Sequence, residues 1–155
     1  MKREMQIILE VNHQAENFYE DAIQLGDHAA YALTIRHRSQ MTGLENIAES
    51  ALKASDVLDY VKRQTARFAY WRQDFPNGEA SKGSFGERLR TYLEEELAKK
   101  RDVICRERLK IGDKTDEHRQ IRRRVYLLLM RQFLRNMIAH YEYRVSFSET
   151  PKKGA

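Results

Sequence analysis

Val125-Tyr126-Leu127-Leu128-Leu129-Met130-Arg131-Gln132-Phe133-Leu134-Arg135-Asn136-Met137-Ile138-Ala139-His140-Tyr141 is the most apolar run of this chain. Val125, Leu128, Leu129, Phe133 and Met137 recur at three- and four-residue intervals, the spacing of one helix face. A stripe of this size must be covered by other elements, and what surrounds it also reads as helix. Only 7 Gly and 2 Pro leave little material for the turns of an all-β fold. The expectation is an all-α, antiparallel bundle of about five helices.

Working backwards from that run, the first helix is expected from about Lys2 to Leu25, with Met5, Ile8, Leu9, Tyr19 and Ile23 at helical spacing. Gly26 reads as its stop and Asp27 as a cap for the next helix, His28 to about Met41. Thr42-Gly43 punctuates again. A long third helix follows from Leu44 to Gln73, with Ser55-Asp56 as a possible restart. Residues 74–86 hold a Pro and three Gly and form the one clear loop. The fourth helix, Glu87 to Lys110, turns Leu89, Leu93, Leu97 and Ile104 inward. A turn over Ile111 to Asp116 leads into the fifth, Glu117 to Arg144. Residues 1–146 therefore form a single helical domain, and 147–155, with Pro151 and Gly154, a flexible C-terminal tail.

At 155 residues the chain can bury a real core, while 33% charged residues describe a heavily charged surface. The net charge of +5 suits an anionic partner. Arg outnumbers Lys, which favours forked contacts to phosphate, or interfaces. Cys105 is alone, so no intramolecular disulfide and no cysteine metal site is expected. Met1 to Gln6 lacks the apolar run of a signal peptide and no stretch is apolar enough to span a bilayer, so a cytoplasmic protein is expected.

Chemistry is suggested by Arg135, Asn136 and His140. On a helix Asn136 and His140 share a face. Arg135 lies roughly 140° round from His140 at about 100° per residue, but its side chain is long enough to reach back. A cation, an amide and an imidazole together suit a phosphodiester and a proton transfer. The alternative is an ordinary helix-face His beside Tyr141 and an Arg that serves as a salt-bridge donor.

This Arg-Asn-x3-His arrangement resembles the HEPN superfamily of small all-helical ribonucleases and their inactive relatives. Their signature is an Arg, four to six residues, then His, often with Asn directly after the Arg. The likeness covers about the last quarter of the chain. One branch adds a Tyr two residues after the His; here Glu142 stands there, between Tyr141 and Tyr143. The resemblance implies metal-independent RNA cleavage, with the ribose 2′-hydroxyl attacking phosphorus to leave a cyclic phosphate and a 5′-hydroxyl. His140 would move the proton, Arg135 would stabilise the transition-state charge, and Asn136 would orient the imidazole or donate to the phosphate. It also implies a homodimer with the fifth helices facing across a composite cleft.

Arg119, Arg122, Arg123, Arg124, Arg131 and Arg144 accompany the same helix and are the candidate RNA-binding residues; a solvated face paired with acids is the alternative. The aromatics Phe68, Tyr70, Trp71 and Phe75 adjoin Arg67 and Arg72, a mixture that stacks unpaired bases in some proteins and closes the end of a bundle in others. Leu33 to Met41, the dispersed Arg and the Ala139 to Tyr143 segment also resemble, more loosely, the small helical subunit of type III CRISPR effector complexes. That subunit lines a guide–target duplex without catalysing anything. Either likeness implies RNA as partner, in prokaryotic defence, and a homodimer or a place in a larger ribonucleoprotein. No metal spacing, Gly-rich phosphate loop or nucleophile elbow is present, and no cofactor is expected.

Overall fold

The computed structural model describes residues 2–76 and 83–153, with side chains to 147. It is an all-α bundle, as the periodicity predicts. Helix α1 spans Lys2–Leu33, α2 Arg38–Ser50 and α3 Ala54–Arg67. Helix α4 covers 85–108, in which π-helical turns at Tyr92–Glu96 and Ile104–Arg108 alternate with α-helix at Phe85–Thr91 and Leu97–Val103. Helix α5 spans Asp116–Lys153, so it continues beyond Ser146, where fraying is expected. Short 3-10 turns occupy Ile35–His37 and Ala69–Arg72. No described helix is long and apolar enough to cross a membrane.

Sequential helices alternate in direction. Gly43 meets Tyr60 and Gln40 meets Gln64 between α2 and α3. Leu93 meets Tyr126 and Asp102 meets Arg122 between α4 and α5. Five alternating helices leave the first and last pointing the same way. Contacts climb both helices together: Glu4 with Arg124, Phe18 with Phe133, Asp27 with His140. This parallel α1–α5 pair is the most extensive contact in the molecule. Helix α5 is covered on several sides; Val125, Leu129, Phe133 and Met137 are fully buried, while Leu128 is only partly so.

Several expected helix boundaries move, among them the end of the third helix, which stops at Arg67 rather than Gln73. Gly26 does not stop α1, which runs on through Gly26-Asp27 to Leu33. A Cβ at Gly26 would lie 2.9 Å from the Met137 carbonyl oxygen and 3.0 Å from the His140 Cβ, so α1 and α5 approach there too closely for a side chain. Nor does Thr42-Gly43 punctuate, because α2 passes through it. The chain breaks instead at Thr34, whose φ of 54° is unusual for a β-branched residue. Such backbone costs about 1–3 kcal/mol and persists only when its surroundings hold it. Here the buried Tyr141 hydroxyl donates to the Thr34 carbonyl, and the Thr34 Oγ1 accepts from the Arg36 N–H. Burial pushes the Tyr141 phenol up to about 12, so it remains a donor. The long third helix divides at 51–53. There Arg131 of α5 donates to the Ala48 and Ala51 carbonyls, each at 2.8 Å, which satisfies the open end of α2.

Helix α4 begins at Phe85 because Ser84 caps it, its hydroxyl accepting from the Glu87 N–H at 3.3 Å. Leu89, Leu93, Leu97 and Ile104 are all buried, as expected. Intervals of four overshoot the 3.6-residue α period, and the wider π turn absorbs the excess so that Leu89, Leu93 and Leu97 stay on the core side. Of the predicted loop, 77–82 lie outside the described residues; Asp74 and Ser84 form an antiparallel bridge across it. Buried His28 secures this connection. Its Nε2 donates to the Gln73 carbonyl at 2.8 Å, and its Nδ1 accepts from Arg88 at 2.8 Å, which requires the neutral ring.

Two outcomes test this architecture. Gly26→Ala is expected to cost about 1–3 kcal/mol by overpacking, opposite in sign to the gain of about 1 kcal/mol usual for Gly-to-Ala in a helix interior. Urea unfolding measures it, and an equally stable variant would show that the seam has room for a methyl. Burial, aided by the Arg88 charge, lowers the His28 pKa below its ordinary 6.5. The unfolded chain therefore takes up this proton first, and stability is expected to fall as pH drops below about 6.5, by at most about 1.4 kcal/mol per pH unit for one proton. His28→Gln should remove that component; an unchanged pH profile would show that His28 does not supply it.

Candidate nucleic-acid interface

Arg135, Asn136 and His140 diverge. His140 sits on the α1–α5 seam with its side chain 20% exposed, and its Nε2 donates to the Asp27 carboxylate at 2.7 Å. The Arg144 Nε reaches the same carboxylate oxygen at 3.3 Å. Asp27, read from sequence as a cap, is thus the acid that orients His140. Arg135 turns to the other flank and pairs with Glu49 of α2 at 2.8 Å. Asn136 accepts from Gln132 at 3.2 Å. Among the described residues these three side chains make no hydrogen bond to one another, and the cation that shares a carboxylate with His140 is Arg144 rather than Arg135.

The arginines also have different tasks. Arg131 is committed to the end of α2. Arg122 is mostly covered and donates to Asp102 at 2.7 Å; Arg101 meets the same carboxylate at 3.1 Å and lies over the Tyr126 ring. Burial works to raise the Asp102 carboxyl, but hydrogen bonds from Arg122 and Arg101 outweigh it and hold the group below its ordinary value. Arg124 pairs with Glu4, whose carboxyl that hydrogen bond lowers, and Arg119 pairs with Asp116. Both of these pairs are exposed. Arg123 has no hydrogen-bond or ion-pair partner among the described residues.

Four of the six candidate RNA-binding residues converge on one groove of about 670 Å³, at the start of α5 where the α2–α3 junction and α4 meet it. Arg119, Arg122, Arg123 and Arg124 line it, joined by Lys53 and Arg101, and Asp113 is the one carboxylate in its wall. Tyr126 and Leu127 give it an apolar side, and Leu52, 89% exposed, stands at the junction. Lys53, Arg101 and Leu52 carry no sequence signal for this site, because each lies far from 119–127 along the chain. Arg131 and Arg144 lie outside the groove lining. A second groove, of about 220 Å³, is lined by Ile8, Asn12, Glu49, Arg131 and Arg135, without His140. Among the described residues no group of three His, Cys, Asp or Glu is placed to hold a metal ion.

Comparison with known proteins finds no matching family model, no matching curated protein and no matching solved structure.

The division between structural and unengaged arginines is measurable. Arg131→Ala is expected to lose about 1.5–3 kcal/mol, the scale of hydrogen bonds from a charged donor. Arg123→Ala should remain within about 0.5 kcal/mol of the parent, as surface changes usually do. Equal losses for the two in chemical denaturation would contradict the assignment.

Proposed function

We propose that this protein binds RNA, and that the groove between the start of α5, the α2–α3 junction and α4 takes the phosphate backbone. The observation that carries this reading is six cations lining one concave surface, where five are paired with carboxylates outside the lining (Asp56, Asp102, Asp116 and Glu4) and Arg123 is unpaired among the described residues. A phosphate entering there meets the guanidinium of Arg123 and can exchange with the exposed carboxylates of the neighbouring pairs. Arg123 is unengaged, while the exposed Arg119–Asp116 and Arg124–Glu4 pairs are of the kind worth only about 0–1 kcal/mol, so phosphate displaces their carboxylates cheaply. The more covered Arg122 and Arg101 stay fixed beside Asp102 and Tyr126 and give the site a rigid wall. Binding without chemistry agrees with the effector-subunit resemblance, in which dispersed arginines hold RNA and His140 has no catalytic task.

A second reading keeps cleavage, on one observation. Asp27 fixes the His140 ring through Nε2, with Arg144 on the same carboxylate, which leaves Nδ1 to take a proton from a ribose 2′-hydroxyl. Arg135, turned to α2, would then serve a His140 from a second copy of the chain, as the composite cleft of the HEPN resemblance requires.

One assay separates the readings: end-labelled RNA titrated with protein in EDTA at several salt concentrations. Arg123→Glu is expected to weaken binding and to reduce the slope of log affinity against log salt by about one unit. His140→Ala should bind like the parent. An unchanged slope for Arg123→Glu would remove the groove from the account. RNA cut by the parent and left whole by His140→Ala would transfer the conclusion to the second reading.

A further inference from the structure

The aromatic group near residue 70 separates into three tasks. Trp71 is buried, donating to Gln40 at 3.0 Å, and Phe75 covers His28 and Tyr31. Phe68 and Tyr70 instead pile up with His37. The His37 and Tyr70 rings lie 3.6 Å apart and 8° from parallel, and Phe68 lies 5.3 Å from Tyr70 at 18°. All three are partly exposed. In the core, Phe133 meets Phe18 edge-on at 76° and Tyr92 near-parallel at 19°, but it is fully buried; the near-parallel His37–Tyr70–Phe68 pile is partly exposed. Near-parallel rings are the arrangement of stacked bases.

The pile is held in place from behind. The strained Thr34 turns the chain out of α1 into Ile35–His37, and Tyr141 of the central helix secures that turn. Arg72 donates to the Thr65 and Ala66 carbonyls and anchors the 69–72 turn that carries Tyr70. Around the pile are cations without partners: Arg36 and Arg67 are exposed, and neither guanidinium has a hydrogen bond or ion pair among the described residues. Arg63, one helical turn before Arg67, is exposed and unengaged as well. Helix α3 connects the two places. Its first turn borders the basic groove and its end reaches the pile, and its 14 residues give a length of about 21 Å.

We infer that the His37–Tyr70–Phe68 pile is a stacking site for an unpaired base, and that the RNA taken by the groove is therefore single-stranded and passes along α3. This rests on the RNA reading above and specifies its substrate class. A duplex keeps its base faces covered, so only an unpaired base can extend the pile. Arg63 and Arg67 lie along the way for the connecting phosphates. Because the rings are already aligned, little freedom is lost when a base joins them.

The test compares fluorescently labelled oligoadenylate with a blunt RNA duplex of equal length. His37→Ala is expected to weaken oligoadenylate binding on the order of ten-fold, the scale of losing one base–aromatic stack, and to leave duplex affinity unchanged. His37→Trp places an indole at the top of the pile; its emission should be quenched by oligoadenylate and not by duplex, while buried Trp71 gives the constant background. Equal losses on both RNAs, or emission from His37→Trp that ignores oligoadenylate, would overturn the stacking site. If Arg123→Glu weakens RNA binding and His37→Ala does not, the pile is discarded and the groove stands. If the parent protein binds neither RNA, the groove reading falls and takes the pile with it.

Discussion

Close approach of α1 and α5 sets the terms for everything around them. Gly26 lets the two backbones meet, Phe18 sets its edge against Phe133, and Tyr141 reaches across to the Thr34 carbonyl. Every other helix packs against one or both members of this pair, and the features with chemical interest hang on its edges. His140 is oriented by Asp27 because the seam brings α1 within hydrogen-bond distance. The break at Thr34, which turns the chain towards α2, is secured from α5. If the two helices were a methyl further apart, the His140 contact and the Thr34 turn would both lose their support.

Helical class and the inward faces of α4 and α5 are legible because amphipathic spacing is a local property. On α1, Met5, Ile8, Leu9 and Tyr19 keep helical spacing but stand exposed, and Ile7, Val11, Phe18 and Leu25 form the buried face. Gly26 misleads for a physical reason. A Gly at a helix end and a Gly at a helix crossing look the same in sequence, and the partner that distinguishes them at position 26 lies more than a hundred residues away. The start of α4, two residues before the expected Glu87, is legible in Ser84 followed three positions on by Glu87, an N-terminal capping pattern. The restart after 51–53 is marked by Ser55-Asp56, next to the observed start of α3 at Ala54, while the end of α2 is not, since an arginine from α5 rather than a glycine completes it.

The arginines show how far composition carries a site and where it stops. Clustering in 119–124 pointed to a basic surface, and those four residues do share a groove. Clustering could not show that Arg131 caps a helix, that Arg144 answers Asp27, or that Lys53 and Arg101 complete the wall from other elements. Likewise the Arg135–His140 spacing is real, but the helix turns one side chain towards α2 and the other towards α1. Spacing along one helix defines directions; the neighbouring helices decide what each direction meets.

An odd number of alternating helices has one more consequence. The N-termini of α1, α3 and α5 must lie at the same end of the bundle, and the groove is at that end, between the first turns of α3 and α5. Peptide dipoles concentrate positive potential at such ends, within about one turn. Asp56 and Asp116 use part of that potential and are themselves steadied by Lys53 and Arg119. The remainder belongs to the backbone. An anion entering the groove therefore meets a field set partly by chain direction, which no change of side chain in the wall removes while α3 and α5 keep their first turns.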